Sequence, residues 1–174
     1  MYATAERAKQ VAFVTHLTAA TAAVLQAGNS KSINSLADTC ETKVAAVTGT
    51  VENEIQAKQN TACEAEGKKG AEAAIYATND QAVNAVRQGR SDYFLTDAGV
   101  AAQVAQKFDK ELDAGFAVPS DFAFGFGVDP KNTELLEGLY DALTLAHDDG
   151  SLVAVQQKWG FAAEQKLQPA KVTG

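Results

Sequence analysis

The sequence predicts an α/β protein built on a largely parallel sheet of about five strands. Three observations carry that expectation. Short apolar runs of strand length alternate with helix-compatible stretches from Ser30 to Gln106, joined by short turns. Extended segments rich in Val, Thr, Ala and Phe bracket this block on both sides. Two amphipathic stretches follow near the C-terminus.

In order, Val11–Val14 and Leu17–Leu25 read as extended segments, broken by Gly28-Asn29-Ser30. Lys43–Thr48 is a short apolar strand ending in Gly49-Thr50. Glu52–Glu64 is helix-compatible and stops at Gly67 and Gly70. Ala73–Ala77 is strand-like. Thr78 or Asn79 caps a helix carrying Ala82, Val83 and Val86, with Gly89 just past its end. Asp92–Thr96 is the next strand, and Asp97 opens a helix over Ala98–Lys107. Phe116–Val128 is aromatic and Gly-rich and reads as extended chain. Asp129-Pro130 then starts a helix with Pro at its first position. Its apolar face is expected to be Leu135, Leu139, Ala142, Leu143 and Ala146. Ser151 caps a short final helix with Leu152, Val155 and Trp159, closed by Gly160, and a polar tail runs to Gly174.

This order gives three segments. Residues 1–29 form an outgoing extended part, 30–112 a central α/β unit, and 113–174 a returning strand with two helices. An α/β insert between two strand crossings implies two lobes and a hinge. Ligands in such folds bind at the C-terminal ends of the strands.

Composition narrows the function classes. Of 174 residues 46% are hydrophobic and 21% charged, a globular balance. Acidic residues outnumber basic ones 22 to 15, for a net charge of −7. That excludes general nucleic-acid binding, which needs clustered Lys and Arg. No apolar run reaches the length of a membrane span, and Met1–Gln10 is polar with no signal-type apolar stretch after it. His16 and His147 are isolated, and no histidine sits at zinc-ligand spacing from Cys40 or Cys63, so no metal or other cofactor is expected. By composition the two cysteines read equally as buried free thiols or as a disulfide.

Several segments together resemble the type II, family 3 solute-binding proteins of polar amino-acid ABC transporters. Glu6-Arg7-Ala-Lys-Gln-Val-Ala-Phe13 resembles the segment that leaves the first lobe for the hinge. Ser35-Leu36-Ala-Asp38, and Val44-Ala-Ala-Val47 followed by Gly49-Thr50, resemble the opening of the second lobe. Ala85-Val86-Arg-Gln-Gly89-Arg90-Ser-Asp92 with Asp97 resembles a further block, and Leu135–Leu139, Asp149-Gly150-Ser151 and Lys158-Trp159-Gly160 resemble the C-terminal helices. The resemblance runs in order from Thr4 to Gly160. It implies a type II binding-protein second lobe plus the hinge strands and C-terminal helices of an incomplete first lobe. The family's opening βαβαβ segment has no match. Cys40 and Cys63 stand where a subgroup of the family has a disulfide, which implies a bridge and an extracytoplasmic parent protein.

The same resemblance implies a ligand site. Arg7 would hold an amino acid's α-carboxylate through its planar, two-pronged guanidinium; the plainer reading is a solvated surface charge. Asp97 would hold the α-ammonium, and also reads as a helix N-cap. Gly49 and Thr50 would line the turn at a helix N-terminus that favours an anion. Val51 stands where the family usually has a hydroxyl, so Thr50 would substitute for it. Glu52, expected to face the cleft, would repel an acidic side chain and favour a neutral or basic one.

Two functions are expected to compete. One is a fragmentary amino-acid-binding protein that serves an ABC permease and grips weakly for lack of an opposing wall. The other is a degenerate homologue that self-associates as a homodimer or domain-swapped assembly, with contacts centred on Leu135, Leu139, Leu143 and Trp159. An enzyme, such as the dehydratases of this superfamily, needs a general acid in the cleft; Glu52 alone qualifies by type, and catalysis is not expected.

Overall fold

Residues 12–26 form a single 15-residue strand, β1 (Ala12–Gln26), in a computed structural model that describes residues 1–161 and 163–174. The two extended segments read from the sequence are therefore one strand. Most of β1 is buried on both faces, as its Ala, Val, Leu and Thr content allows.

After β1 come β2 (Lys43–Val47), α1 (Val51–Ala65), β3 (Glu72–Tyr76), α2 (Asn79–Arg87), β4 (Tyr93–Asp97) and α3 (Ala98–Lys107). Each lies within a residue or so of its expected position. Then β5 (Leu112–Val128), α4 (Thr133–Asp148), α5 (Ser151–Trp159) and β6 (Leu167–Thr173) complete the chain. Thr21–Val118 make one compact unit; Met1–Ala20 with Pro119–Gly174 make the other.

In the Thr21–Val118 unit the strand order is β3-β2-β4-β1-β5. β2 runs parallel to both β3 and β4, whereas Thr21–Leu25 of β1 run antiparallel to β4. The sheet is mixed, and its parallel part carries the helices. Its core gathers Ala23, Leu25, Ile33, Val44, Ala71, Tyr93 and Leu95. Burial pushes the Tyr93 phenol up to about 12. Its hydroxyl donates to Gln56 Oε1 of α1 at 2.6 Å. Gln56 Nε2 in turn donates to Asn60 Oδ1 at 2.9 Å, and Asn60 is bonded to the Ala71 backbone through both its oxygen and its nitrogen. This ladder pins the inner face of α1. Cys40 and Cys63 are joined, Cα to Cα 5.7 Å, and tie the turn Leu36–Thr39 to α1. The alternative of two free thiols is thereby removed.

In the other unit β6 pairs antiparallel with β1, Phe13 opposite Thr173 and Leu17 opposite Leu167. A strand thus stands where the sequence predicts only a polar tail. Its half-buried residues, Leu167, Ala170 and Thr173, recur every third position, so no alternation announces the strand. Pro169 hides it further.

Three expectations about the helices need correction. α4 begins at Thr133, capped by Asn132, whose Oδ1 accepts the Leu135 amide at 3.1 Å. Pro130 lies in the turn before, where Asp129 Oδ1 accepts the Lys131 amide. An Asn side chain satisfies an orphan amide, which Pro cannot do, and it sets the start. The buried face is Leu136 and Leu143 with Leu139 half-buried, packed on Ala12, Val14, Val128 and Ala170. Leu135 and Ala142 point outward. Leucines occur on both sides of α4, so periodicity alone does not choose between them. Finally, Ser151 is the first residue of α5; Gly150, at φ +78°, occupies the cap position.

Candidate functional site

The site is built at the C-terminal edge of the parallel strands. Val44 pairs with Tyr93 and Ala45 with Phe94. Carried forward at the same offset, Thr48 comes opposite Asp97, so the turn after β2 and the end of β4 are neighbours. β3 ends level with them, Val47 opposite Tyr76, and the Thr48 amide donates to the Tyr76 carbonyl at 3.4 Å.

The turn is shaped by its own residues. Gly49 takes φ +76°, a left-handed conformation that side chains resist, and a Cβ placed there would meet only open space. Thr50 is extended and occupies the N-cap of α1, yet its hydroxyl does not cap. Thr50 Oγ1 donates instead to the Val47 carbonyl at 3.1 Å, and Asn53 Nδ2 donates to the same oxygen at 2.7 Å. Two donors on one carbonyl fix the turn between strand and helix. Asn53 is not among the residues the sequence singles out; its place three residues after the cap is the signal that marks it.

Asp97 caps α3. Its Oδ1 accepts the amides of Gly99 at 2.9 Å and Val100 at 3.4 Å. It is half-buried, and Thr21 of β1, wholly buried, stands opposite it in the ladder. The cap fixes the carboxylate at the end of β4. A fixed, half-exposed carboxylate beside an open glycine turn suits a ligand ammonium.

Glu52 is placed otherwise than expected. It is only 7% exposed and lines a cavity of about 230 Å³ between α1 and the β2, β3 and β4 strands, with Gln56, Asn60 and Leu95. A carboxylate turned under the helix does not set the charge of a ligand beyond the turn, so the argument against acidic side chains falls. Val51 is buried as well.

Arg7 belongs to the other unit. It sits in a short 3₁₀ turn, Arg7–Lys9, half-buried, with Nη1 donating to the Tyr2 carbonyl at 3.1 Å and its amide donating to Thr4 Oγ1 at 3.3 Å. The bond to Tyr2 uses one of the five guanidinium N–H donors. The structure thus brings Gly49, Thr50 and Asp97 together at one edge and turns Glu52 inward. Among the described residues no group of three or more His, Cys, Asp or Glu is arranged to hold a metal. No helix among them is long and apolar enough to cross a membrane.

Residues 1–162 match the family model of bacterial extracellular solute-binding proteins, family 3. An arginine-binding protein, ArgT, of Corynebacterium glutamicum is 30% identical over 103 residues, covering 57% of this chain and 32% of its own length. The chain therefore spans about a third of the length of that curated relative. An ancestral arginine-binding protein, solved bound to arginine, is 27% identical with a TM-score of 0.75, over 91% of this chain and 68% of that one. An ancestral amino acid-binding protein described as a precursor of cyclohexadienyl dehydratase is 25% identical, with a TM-score of 0.70, over 91% and 65%. With a family match over nearly its whole length and a fold shared with amino-acid binders, the chain belongs to the family 3 bacterial extracellular solute-binding proteins.

Proposed function

We propose that this chain binds a free α-amino acid as part of an extracytoplasmic solute-binding protein that serves an ABC permease. Asp97 takes the α-ammonium, and the Gly49–Thr50 turn, with the first amides of α1, takes part of the α-carboxylate. Arg7 supplies the two-pronged carboxylate contact. The observation that carries this reading is the capped, half-exposed Asp97 carboxylate set beside the open turn after β2. The named relatives add support, since they are described as binding arginine or, in one structure, glutamine. A basic or neutral side chain is the favoured ligand class on that ground, not on the Glu52 charge.

Catalysis is not part of the proposal. Glu52, the one acid considered for it, lies under α1, and the named binding proteins are described by what they bind. The disulfide supports an oxidising location outside the cytoplasm. Calorimetric titration with arginine, glutamine and glutamate tests the reading. Binding of arginine or glutamine in the micromolar to millimolar range supports it; no heat with any of the three at millimolar concentration overturns it.

A further inference from the structure

Of the three helices that follow the parallel strands, α1 is the one whose cap residue spends its side chain elsewhere. In α2 the Thr78 hydroxyl accepts the Gln81 amide, and in α3 the Asp97 carboxylate accepts those of Gly99 and Val100. Thr50 holds the same position in α1, with a hydroxyl able to do the same, and makes no such bond. Its Oγ1 donates backwards to the Val47 carbonyl at 3.1 Å. Asn53, half-buried in the first turn of α1, reaches back six residues and donates its Nδ2 to the same oxygen at 2.7 Å, the shorter of the two bonds. The peptide between Val47 and Thr48 is thereby held at both ends, because the Thr48 amide donates to the Tyr76 carbonyl of β3.

We propose that Asn53 is a positioning residue for the carboxylate half of the amino-acid site, acting through the Val47 carbonyl without touching the ligand itself. That role rests on the reading of the site under which the Gly49–Thr50 turn and the first amides of α1 take an α-carboxylate. Two consequences of the Asn53 bond matter to an anion. A backbone carbonyl is the negative end of its peptide, and one turned toward the glycine turn would repel a carboxylate there. Asn53 and Thr50 together occupy the Val47 oxygen and hold it against the first turn of α1. A Thr50 hydroxyl drawn to Val47 also does not compete with a ligand for the amides at the positive end of the helix.

The residue type fits the task. The third position of a helix that opens with Thr commonly carries Glu or Gln, which closes back on the cap residue's amide. Here it carries Asn, a weaker helix former, between the acids Glu52 and Glu54. An acid has no N–H to give Val47, and it would set a second negative charge beside the ligand carboxylate. Gln is longer by one methylene than the span from Asn53 to Val47 requires.

Titration of arginine and argininamide into the native chain, Asn53→Ala, Asn53→Asp and Asp97→Asn is the test. Binding is followed by amide chemical shifts, which read weak as well as tight complexes, and melting curves show that each variant is folded. Argininamide keeps the α-ammonium and the side chain of arginine and lacks the carboxylate. Asn53→Ala is expected to lose at least fivefold in affinity for arginine and less than twofold for argininamide. Asn53→Asp loses more for arginine than Asn53→Ala does. Asp97→Asn, which acts on the ammonium half, weakens both ligands alike. A side chain that merely steadied α1 would weaken both ligands by the same factor when removed. That result, or an unchanged affinity for arginine in a folded Asn53→Ala variant, overturns the role of Asn53 and leaves the site standing. A native chain that binds neither ligand overturns the reading of the site, and the role of Asn53 with it.

Discussion

Reducing the bridge between Cys40 and Cys63 should destabilise the Thr21–Val118 unit far more than any surface change. The bridge spans 23 positions and encloses the whole of α1 up to its last turn. In the chain-entropy view, a loop of that length restricts the unfolded chain by about 3 kcal/mol. In a unit of roughly 100 residues each kcal/mol shifts the melting temperature by about 4–8 °C, which gives a fall of roughly 12–24 °C. Cys63 is wholly buried and Cys40 half-buried, so the bridge is shielded from reductant in the folded chain. The protein is therefore reduced in denaturant, refolded without oxygen, and compared with the oxidised form by scanning calorimetry. A melting temperature within about 2 °C of the oxidised value would rule out a restraint of this size. It would mean that the Tyr93–Gln56–Asn60 ladder alone holds α1 on the sheet.

Other predictions test the packing and a titrating group. Leu136→Ala should cost about 3 kcal/mol in chemical denaturation and Leu135→Ala less than about 0.5, because only the first empties a core site; equal costs would reverse the face assigned to α4. Gly125→Ala should cost more than about 3 kcal/mol, since its Cβ would run into the backbone of Val14 and Thr15 on β1; a neutral effect would show that the strands stand further apart. His16 is held below its ordinary value of 6.5 by burial first, and then by the N-terminal charge, while its ring stacks on Phe126 at 5.5 Å. Its Nδ1 is buried with no hydrogen-bond partner. The neutral form is the one the fold accepts, so the stabilisation is full above pH 6.5 and is lost as the pH falls from there through the lowered folded value. Melting of the native chain should decline over that window, and His16→Phe should flatten the decline; an identical slope in the variant would acquit His16.

Much of the fold is legible in the sequence because its punctuation is local. Thr78, Asp97 and Gly89 are a cap, a cap and a left-handed terminator, and each fixes an element boundary to within a residue or so. The parallel block follows from alternation of strand and helix, which needs no long-range information. What is lost depends on packing. Leu135 and Leu136 are equally apolar, and only the position of β1 and β6 decides which one is covered. β6 is invisible because its cover comes from α4, not from its own alternation.

The site is legible in part for the same reason. Asp97 doubles as a cap, so its location follows from the helix it opens. The Gly49–Thr50 turn follows from the end of an apolar strand. Glu52 misleads, because a polar residue at a helix start normally faces solvent or a site. Here a sheet rich in Ala45, Ala46 and Ala73 leaves room beneath α1, and the carboxylate turns into that space. Nothing in the sequence announces a cavity made by small residues on neighbouring strands.

If Asp97 holds a ligand's ammonium, one substitution isolates its part. Asp97→Asn keeps an oxygen for the Gly99 and Val100 amides, so the α3 cap survives, but it removes the negative charge. Arginine and glutamine are titrated by calorimetry into the native chain and into the Asp97→Asn variant, with melting curves to confirm that both are folded. Measurable binding by the native chain is expected, with a loss of at least tenfold, about 1.4 kcal/mol or more, in the variant. Equal affinity in the two, or no binding of either amino acid by the native chain, would contradict the role given to Asp97.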